Sequence, residues 1–227
     1  MGGGAQPRPG EISLAHQGVL FLDELPEWDR RALEVLREPL ESGVITVSRA
    51  ARSAEFPARF QLVGAMNPCP CGWAGDPSGR CRCNPDAVRR YRGRVSGPLL
   101  DRIDLHVEVA RVPTAALRPD APSGECTATV RARVVEARTR QYARSGKTNA
   151  VLDQPETAAA CRLTDTDRLL LERAVDALQL SARSMHRILR VARTIADLDG
   201  ADAIGTAHLT EAISLRRATR GLEAAMA

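Results

Sequence analysis

Residues 18–24 read Gly-Val-Leu-Phe-Leu-Asp-Glu, four consecutive apolar residues that stop at two adjacent carboxylates. A short apolar run bounded by polar residues suits a strand buried on both faces, and such strands belong to parallel sheets covered by helices. Sheets of that kind bind ligands at the carboxyl ends of their strands. The run therefore predicts an α/β fold and places Asp23 and Glu24 at a sheet edge. A buried strand entering an ordinary acidic turn explains the same residues.

The rest of the chain bounds what surrounds that strand. Its 227 residues allow one large domain or two small ones. Aromatic residues make up only 3%, so a core must be built from Leu, Val, Ile and Ala. A net charge of +4 permits a polyanionic partner without demanding one. Lys147 is the only lysine; every other basic residue is Arg. No run of 18 apolar residues is present, so no membrane span is expected. The first ten residues hold no apolar stretch of the secretory kind. A cytoplasmic location is the expectation, and there six cysteines favour metal or free thiols over disulfides.

Helical spacing of Trp28, Ala32, Leu33, Leu36 and Leu40 predicts a helix over 28–42, with Pro39 disturbing its last turn and Gly43 as its cap. A hairpin is expected from 44–47 and 54–56. Further strands are expected at 60–66 and 105–109. Between these two strands lie a loop rich in Cys, Gly and Pro (68–86) and an Arg-rich segment (89–94). Residues 113–124 carry three prolines and a glycine, which suits a linker. Beyond it the apolar spacing is helical over 127–142, 164–180, 184–198 and 206–217. These would make a small helical bundle.

Several groups of residues can carry chemistry. Asp23 and Glu24 match the second nucleotide motif of P-loop ATPases, in which one acid holds Mg²⁺ and the next polarises the attacking water. Asn67, at the end of the 60–66 strand, can orient that water or can simply begin a turn before Pro68. Arg102 can reach a neighbouring subunit's phosphate, or pair locally with Asp101 or Asp104. Arg183, Arg187 and Arg190 share one helix face, either solvated or in contact with phosphate. Arg89, Arg90, Arg92 and Arg94 surround Tyr91. They suit a DNA backbone with a base stacked on the ring, or a solvated loop. Cys69, Cys71, Cys81 and Cys83 form two Cys-x-Cys pairs, nine residues apart, that can close a Zn²⁺ site; redox thiols are the alternative. Cys126 and Cys161 lie alone and are expected in the core. Ser145-Gly146-Lys147-Thr148 imitates the end of a P-loop. A P-loop needs a glycine five residues before Gly146, and position 141 is Gln.

Longer strings are more specific: Pro-Arg-Pro-Gly-Glu-Ile-Ser-Leu-Ala-His (7–16), Gly-Val-Leu-Phe-Leu-Asp-Glu-Leu-Pro-Glu (18–27), Val-Gly-Ala-Met-Asn-Pro-Cys-Pro-Cys-Gly (63–72), Leu-Leu-Asp-Arg-Ile-Asp-Leu (99–105) and Arg-Val-Ala-Arg-Thr-Ile-Ala-Asp-Leu (190–198). In these the chain resembles the Mg-chelatase-like branch of the AAA+ ATPases, and within it the ComM (YifB) type. The resemblance implies a partial AAA+ P-loop NTPase core, a parallel sheet whose first half is missing, over residues 1–112. A linker (113–124) and an all-α lid domain (125–227) would follow. It implies ATP and Mg²⁺ as cofactors and Asp23 and Glu24 as the Walker B pair. Asn67 would be sensor 1 and Arg102 a finger acting on a neighbour. Arg183 would be sensor 2, with Arg187 the weaker choice. It also implies a hexameric ring and, for the ComM type, DNA branch migration in recombination. The family's Lon-protease-like domain and P-loop half are not among these residues, so the chain reads as the C-terminal part of a longer protein. A zinc-containing DNA-binding or ring-assembly module without catalysis is the alternative. A magnesium-chelatase ATPase subunit is a further one, disfavoured by the Cys loop.

Overall fold

In the computed structural model, residues 7–49 and 52–223 are described. They divide into two units between Ile103 and Asp104, ahead of the Pro-rich stretch.

The N-terminal unit begins with a short helix, α1 (Glu11–Leu14), and strand β1 (Val19–Leu22). A 3₁₀ turn, Leu25–Glu27, leads to α2 (Arg30–Val35) and α3 (Pro39–Ser42). The single helix expected over 28–42 is thus two. Asp29, not Trp28, starts α2, because its carboxylate accepts the amides of Arg31 and Ala32. Pro39 has no N–H to donate, so the helical ladder breaks before it and restarts with Pro39 in the first turn. Gly43 ends α3 in the left-handed region, φ 74°. β2 (Val44–Arg49) and β3 (Arg52–Pro57) form the antiparallel hairpin. β4 (Gln61–Gly64) then returns to lie parallel to β1, with Val19 beside Gln61 and Leu22 beside Gly64. After a long loop come α4 (Pro85–Arg92), capped by Asn84, and α5 (Gly97–Leu100), capped by Ser96.

Leu22, Leu25, Leu33, Leu36, Ile45, Val95, Leu99 and Leu100 build this unit's core. β1 is covered on one face only. Leu22 points inward, while Val19 and Phe21 are 59% and 58% exposed. The expectation of burial on both faces therefore fails among the described residues, because β4 is the one strand beside β1 and no helix of this unit closes the other face. Gly64 permits a close approach: a Cβ there would sit 3.3 Å from Leu25 Cδ2.

The second unit starts with an extended segment. Leu105, Val107 and Val109 alternate as a strand would, yet no strand forms there among the described residues. One main-chain bond, from His106 N–H to the Leu215 carbonyl, is not a ladder, and all three apolar side chains stay exposed. The helices are α6 (Thr127–Ser145), α7 (Gln154–Ala160), α8 (Asp165–Ala177), α9 (Ala182–Leu198) and α10 (Thr206–Glu223). Ser181 and Thr164 cap α9 and α8, and Asp153 with Glu156 forms a full capping box on α7. Ile188, Ala192, Ala196, Leu171, Leu209 and Ala212 make the core.

Beside that apolar core is a buried ionic knot. The Asp197 side chain is 1% exposed and that of Arg193 2%. Arg144 donates to both Asp197 oxygens, at 2.8 and 2.7 Å, and Arg193 lies 3.0 Å away. Asn149 adds a bond of 2.9 Å, while Arg193 also donates to the carbonyls of Ala201 and Asp202. Burial by itself raises the Asp197 pKa. The hydrogen bonds from Arg144 and Asn149 and the charge of Arg193 outweigh it and hold the carboxyl below the ordinary value.

Candidate functional site

The parallel register of β1 and β4 decides which residues leave the sheet together. Leu22 and Gly64 are partners, so Asp23 and Glu24 exit at the same carboxyl edge as the chain that leads from β4 to Asn67. All three side chains are exposed. Two further bonds tie the exits: Ala65 N–H donates to Leu22 O, and Leu25 N–H to Ala65 O.

The acids do not continue the strand. Glu24 adopts φ 49°, ψ 46°, the left-handed region that costs a non-glycine residue about 1–2 kcal/mol. Asp23 Oδ1 accepts the Glu24 amide at 2.8 Å, and Trp28 Nε1 donates to the Asp23 carbonyl at 2.8 Å. The sharp turn, not strand alternation, separates the two carboxylates, and both remain in water. Two exposed carboxylates supply the hard oxygen ligands that Mg²⁺ takes.

Beyond Asn67 lies the Cys loop. The sulfurs of Cys69, Cys71, Cys81 and Cys83 all lie within 4.8 Å of one another, and none is in a disulfide. Cys69 is fully buried, and its sulfur accepts the Ala74 amide at 3.3 Å. The Trp73 amide and the Cys69 thiol stabilise the Cys71 thiolate and lower its pKa to about 6. Bonding to Cys71 pushes Cys83 up to about 12.

α4 packs against this loop and carries the Arg-rich segment. Tyr91 is 6% exposed, and burial raises the pKa of its phenol. Its side chain is largely buried, although Tyr91 is among the residues lining the groove beside α4. Arg89 pairs with Asp86, Arg92 Nε donates to Pro68 O at 2.9 Å, and Arg94 pairs with Glu27 at 2.7 Å. Arg90 and Arg94 line an open groove of about 550 Å³ together with Arg30 and Glu27. Arg30 had no place among the sequence candidates. It lies 60 positions before Arg90, and only the fold brings the two to one surface.

Arg102 is 13% exposed at its side chain. Its Nε and Nη2 donate to Glu41 at 3.2 and 2.6 Å, and Nη1 to Pro98 O. Its acid partner there is Glu41, a residue on α3 distant in sequence. In the helical unit Arg187 is buried and paired with Asp104, Arg190 donates to the Ala150 carbonyl, and Arg183 is exposed. Gly146 is the left-handed cap of α6 and Lys147 pairs with Glu156 at 2.6 Å, which accounts for the P-loop imitation. Cys161 is buried as expected. Cys126 is not: it is the exposed N-cap of α6, with its sulfur 3.2 Å from Thr129 Oγ1.

Among the described residues no helix is long and apolar enough to cross a membrane. Comparison with known proteins adds the family. Residues 1–117 match the family of magnesium chelatase, subunit ChlI, and residues 124–216 match its C-terminal domain. The chain is 52% identical over 221 residues to YifB of Escherichia coli K12, covering 97% of this chain and 43% of that protein. It is 50% identical over 224 residues to the competence protein ComM of Haemophilus influenzae Rd, covering 98% and 43%. The magnesium-chelatase subunit ChlI of Anabaena variabilis is 33% identical over 110 residues, 48% of this chain and 26% of that subunit. The chain therefore spans less than half the length of these relatives. With both of its parts matched in order, it belongs to the magnesium chelatase ChlI family and is of the ComM-like kind within it.

Proposed function

We propose that these residues form the water-activating and sensing part of an ATP-driven AAA+ machine of the ComM type that works on DNA. The observation that carries the reading is the shared carboxyl edge: Asp23, Glu24 and Asn67 leave a parallel strand pair on one side, inside the segment matched to the chelatase family. Asp23 holds the Mg²⁺ that accompanies ATP, whose charge offsets that of the phosphate oxygens. Glu24 accepts a proton from the attacking water, and Asn67 orients that water. Arg102 leaves Glu41 to reach the γ-phosphate of an adjacent subunit in a hexameric ring. Arg183, exposed on α9, contacts phosphate as sensor 2. Arg187, which pairs with Asp104, is the second choice.

Arg89, Arg90, Arg92 and Arg94 face the DNA backbone, with Arg90 and the groove-lining Arg30 the most available. Tyr91 serves this surface as a buried support rather than a stacking platform. A DNA partner is in keeping with the competence named for the Haemophilus relative. The four cysteines hold a structural Zn²⁺, since four thiolates leave no position for water or substrate. The whole assembly is cytoplasmic. The residues divide in function as a sheet-based core over 1–112, a linker over 113–124 and a helical lid over 125–227.

The test uses a protein of the relatives' length that carries these residues behind a P-loop. Glu24→Gln should lower ATP turnover by about 10²–10⁴-fold, the usual contribution of a general base, while ATP binding persists. The 227-residue chain alone should not turn over ATP. Undiminished hydrolysis in the Glu24→Gln protein would overturn the assignment.

A further inference from the structure

The Cys loop has a geometric role that its ligand set does not state. From Ala65 to Asn84 no helix or strand forms, so nothing in the backbone ladder fixes the path of this segment. Its two ends are nevertheless fastened to one helix. At the entry, the Pro68 carbonyl accepts Arg92 Nε at 2.9 Å, near the C-terminal end of α4. At the exit, Cys83 is followed directly by Asn84, whose Oδ1 caps the other end of α4 at the Ala87 amide, 2.7 Å away. The first Cys pair therefore follows Asn67-Pro68 and the second precedes α4.

The four sulfurs close this circuit. A tetrahedral Zn²⁺ with bonds of about 2.3 Å sets its sulfurs roughly 3.8 Å apart. Cys69 and Cys81 are 3.8 Å apart, Cys71 and Cys81 3.7 Å, and Cys69 and Cys71 3.3 Å. All four sulfurs, Cys83 included, lie within 4.8 Å of one another. We infer that the metal-closed loop is a clasp that holds Asn67 in register with α4, so that the residue proposed to orient water and the helix proposed to meet DNA are positioned by one zinc. This rests on the zinc reading above, but not on the reading of ATP or DNA chemistry. It makes Cys69, Cys71, Cys81 and Cys83 positioning residues for Asn67.

The experiment uses the 227-residue chain. Metal analysis should give about one zinc per chain, and Co²⁺ exchanged for it should show the visible d–d bands and sulfur charge-transfer of a tetrahedral thiolate site. Hydrogen exchange is then followed with the metal present and after chelation. Removal should speed exchange of the amides at 65–67 and 86–92 by about tenfold or more, while α9 amides keep their protection. Cys83→Ser should reproduce the effect of chelation, and Cys83→His, which restores a ligand, should reverse most of it. If zinc binds but its removal leaves exchange at 65–67 and 86–92 unchanged, the clasp is wrong and the zinc site stands. If freshly isolated protein holds no zinc, gives no cobalt spectrum or contains stoichiometric disulfides, both fall together.

Discussion

The helical unit encloses a carboxylate between two guanidiniums, whereas the N-terminal unit leaves its paired carboxylates in water beside an uncovered apolar strand face. Asp197 and Arg193 are buried beside the core of Ile188, Ala192, Ala196 and Leu209, and Arg144, 27% exposed, closes the pair from its edge. Asp23 and Glu24 stand next to Val19 and Phe21, all four exposed. The difference separates two uses of charge. A buried pair constrains packing, because breaking it strands an ion in a low dielectric. Exposed acids on a strained turn cost stability locally and are retained where a ligand or partner meets them.

The largest effect should follow from opening the ionic knot. Asp197→Ala leaves two guanidiniums near or within the core without their acid and should cost about 3–5 kcal/mol. Both tryptophans, Trp28 and Trp73, lie in the N-terminal unit. Urea unfolding followed by far-UV circular dichroism should therefore show an early loss of helix while tryptophan fluorescence keeps its original midpoint. A coincident shift of both signals would break the comparison, since it would mean that the units do not melt separately.

A cavity in the other core should do the reverse. Leu33→Ala removes a fully buried side chain of α2 and should cost about 2–5 kcal/mol, read by tryptophan fluorescence with the helical signal little changed. Acid should act on the knot before that core. The folded Asp197 pKa lies below its unfolded value of about 4, so its contribution is complete above that pH and is lost as the pH falls through the lower, folded value. Helical stability measured from pH 5 to 2 should decline more steeply in the parent than in Asp197→Asn, which has no proton to take up; equal slopes would contradict this. The smallest effect is expected on the open strand face. Phe21→Ser should change stability by no more than about 0.5 kcal/mol, because its ring is already largely in water. A loss near that of Leu33→Ala would show that the face is covered.

Much of the helical unit was legible because its apolar residues recur at helical spacing. α6, α8 and α9 begin and end within about three residues of the expected positions, and α10 begins where expected but runs six residues further, to Glu223. α7 was missed, although Asp153-x-x-Glu156 with Pro155 between them is a sequence-level start signal. The ionic knot was invisible because charged residues on a helix read as solvent-facing. Only the four-residue spacing of Arg193 and Asp197 hinted at it, and Arg144 comes from another helix. At the candidate site the strand tip, Asn67 and the Cys set could be read directly. The burial of Tyr91, the Glu41 partner of Arg102 and the arrival of Arg30 beside Arg90 are products of tertiary packing between residues far apart in sequence. The 105–109 segment shows the opposite failure: alternation was present, but a strand needs a neighbour to bond with.

The central claim is that Glu24 acts within its own subunit while Arg102 acts on the next. The direct measurement is ATP turnover by mixed assemblies of the longer protein. Glu24→Gln and Arg102→Ala should each be inactive alone, the second because a finger contributes about 10³–10⁵-fold. Mixing the two should restore part of the activity, since some interfaces then join an intact acid to an intact arginine. Mixtures shown to co-assemble through differently tagged subunits, yet no more active than either variant, would contradict the account.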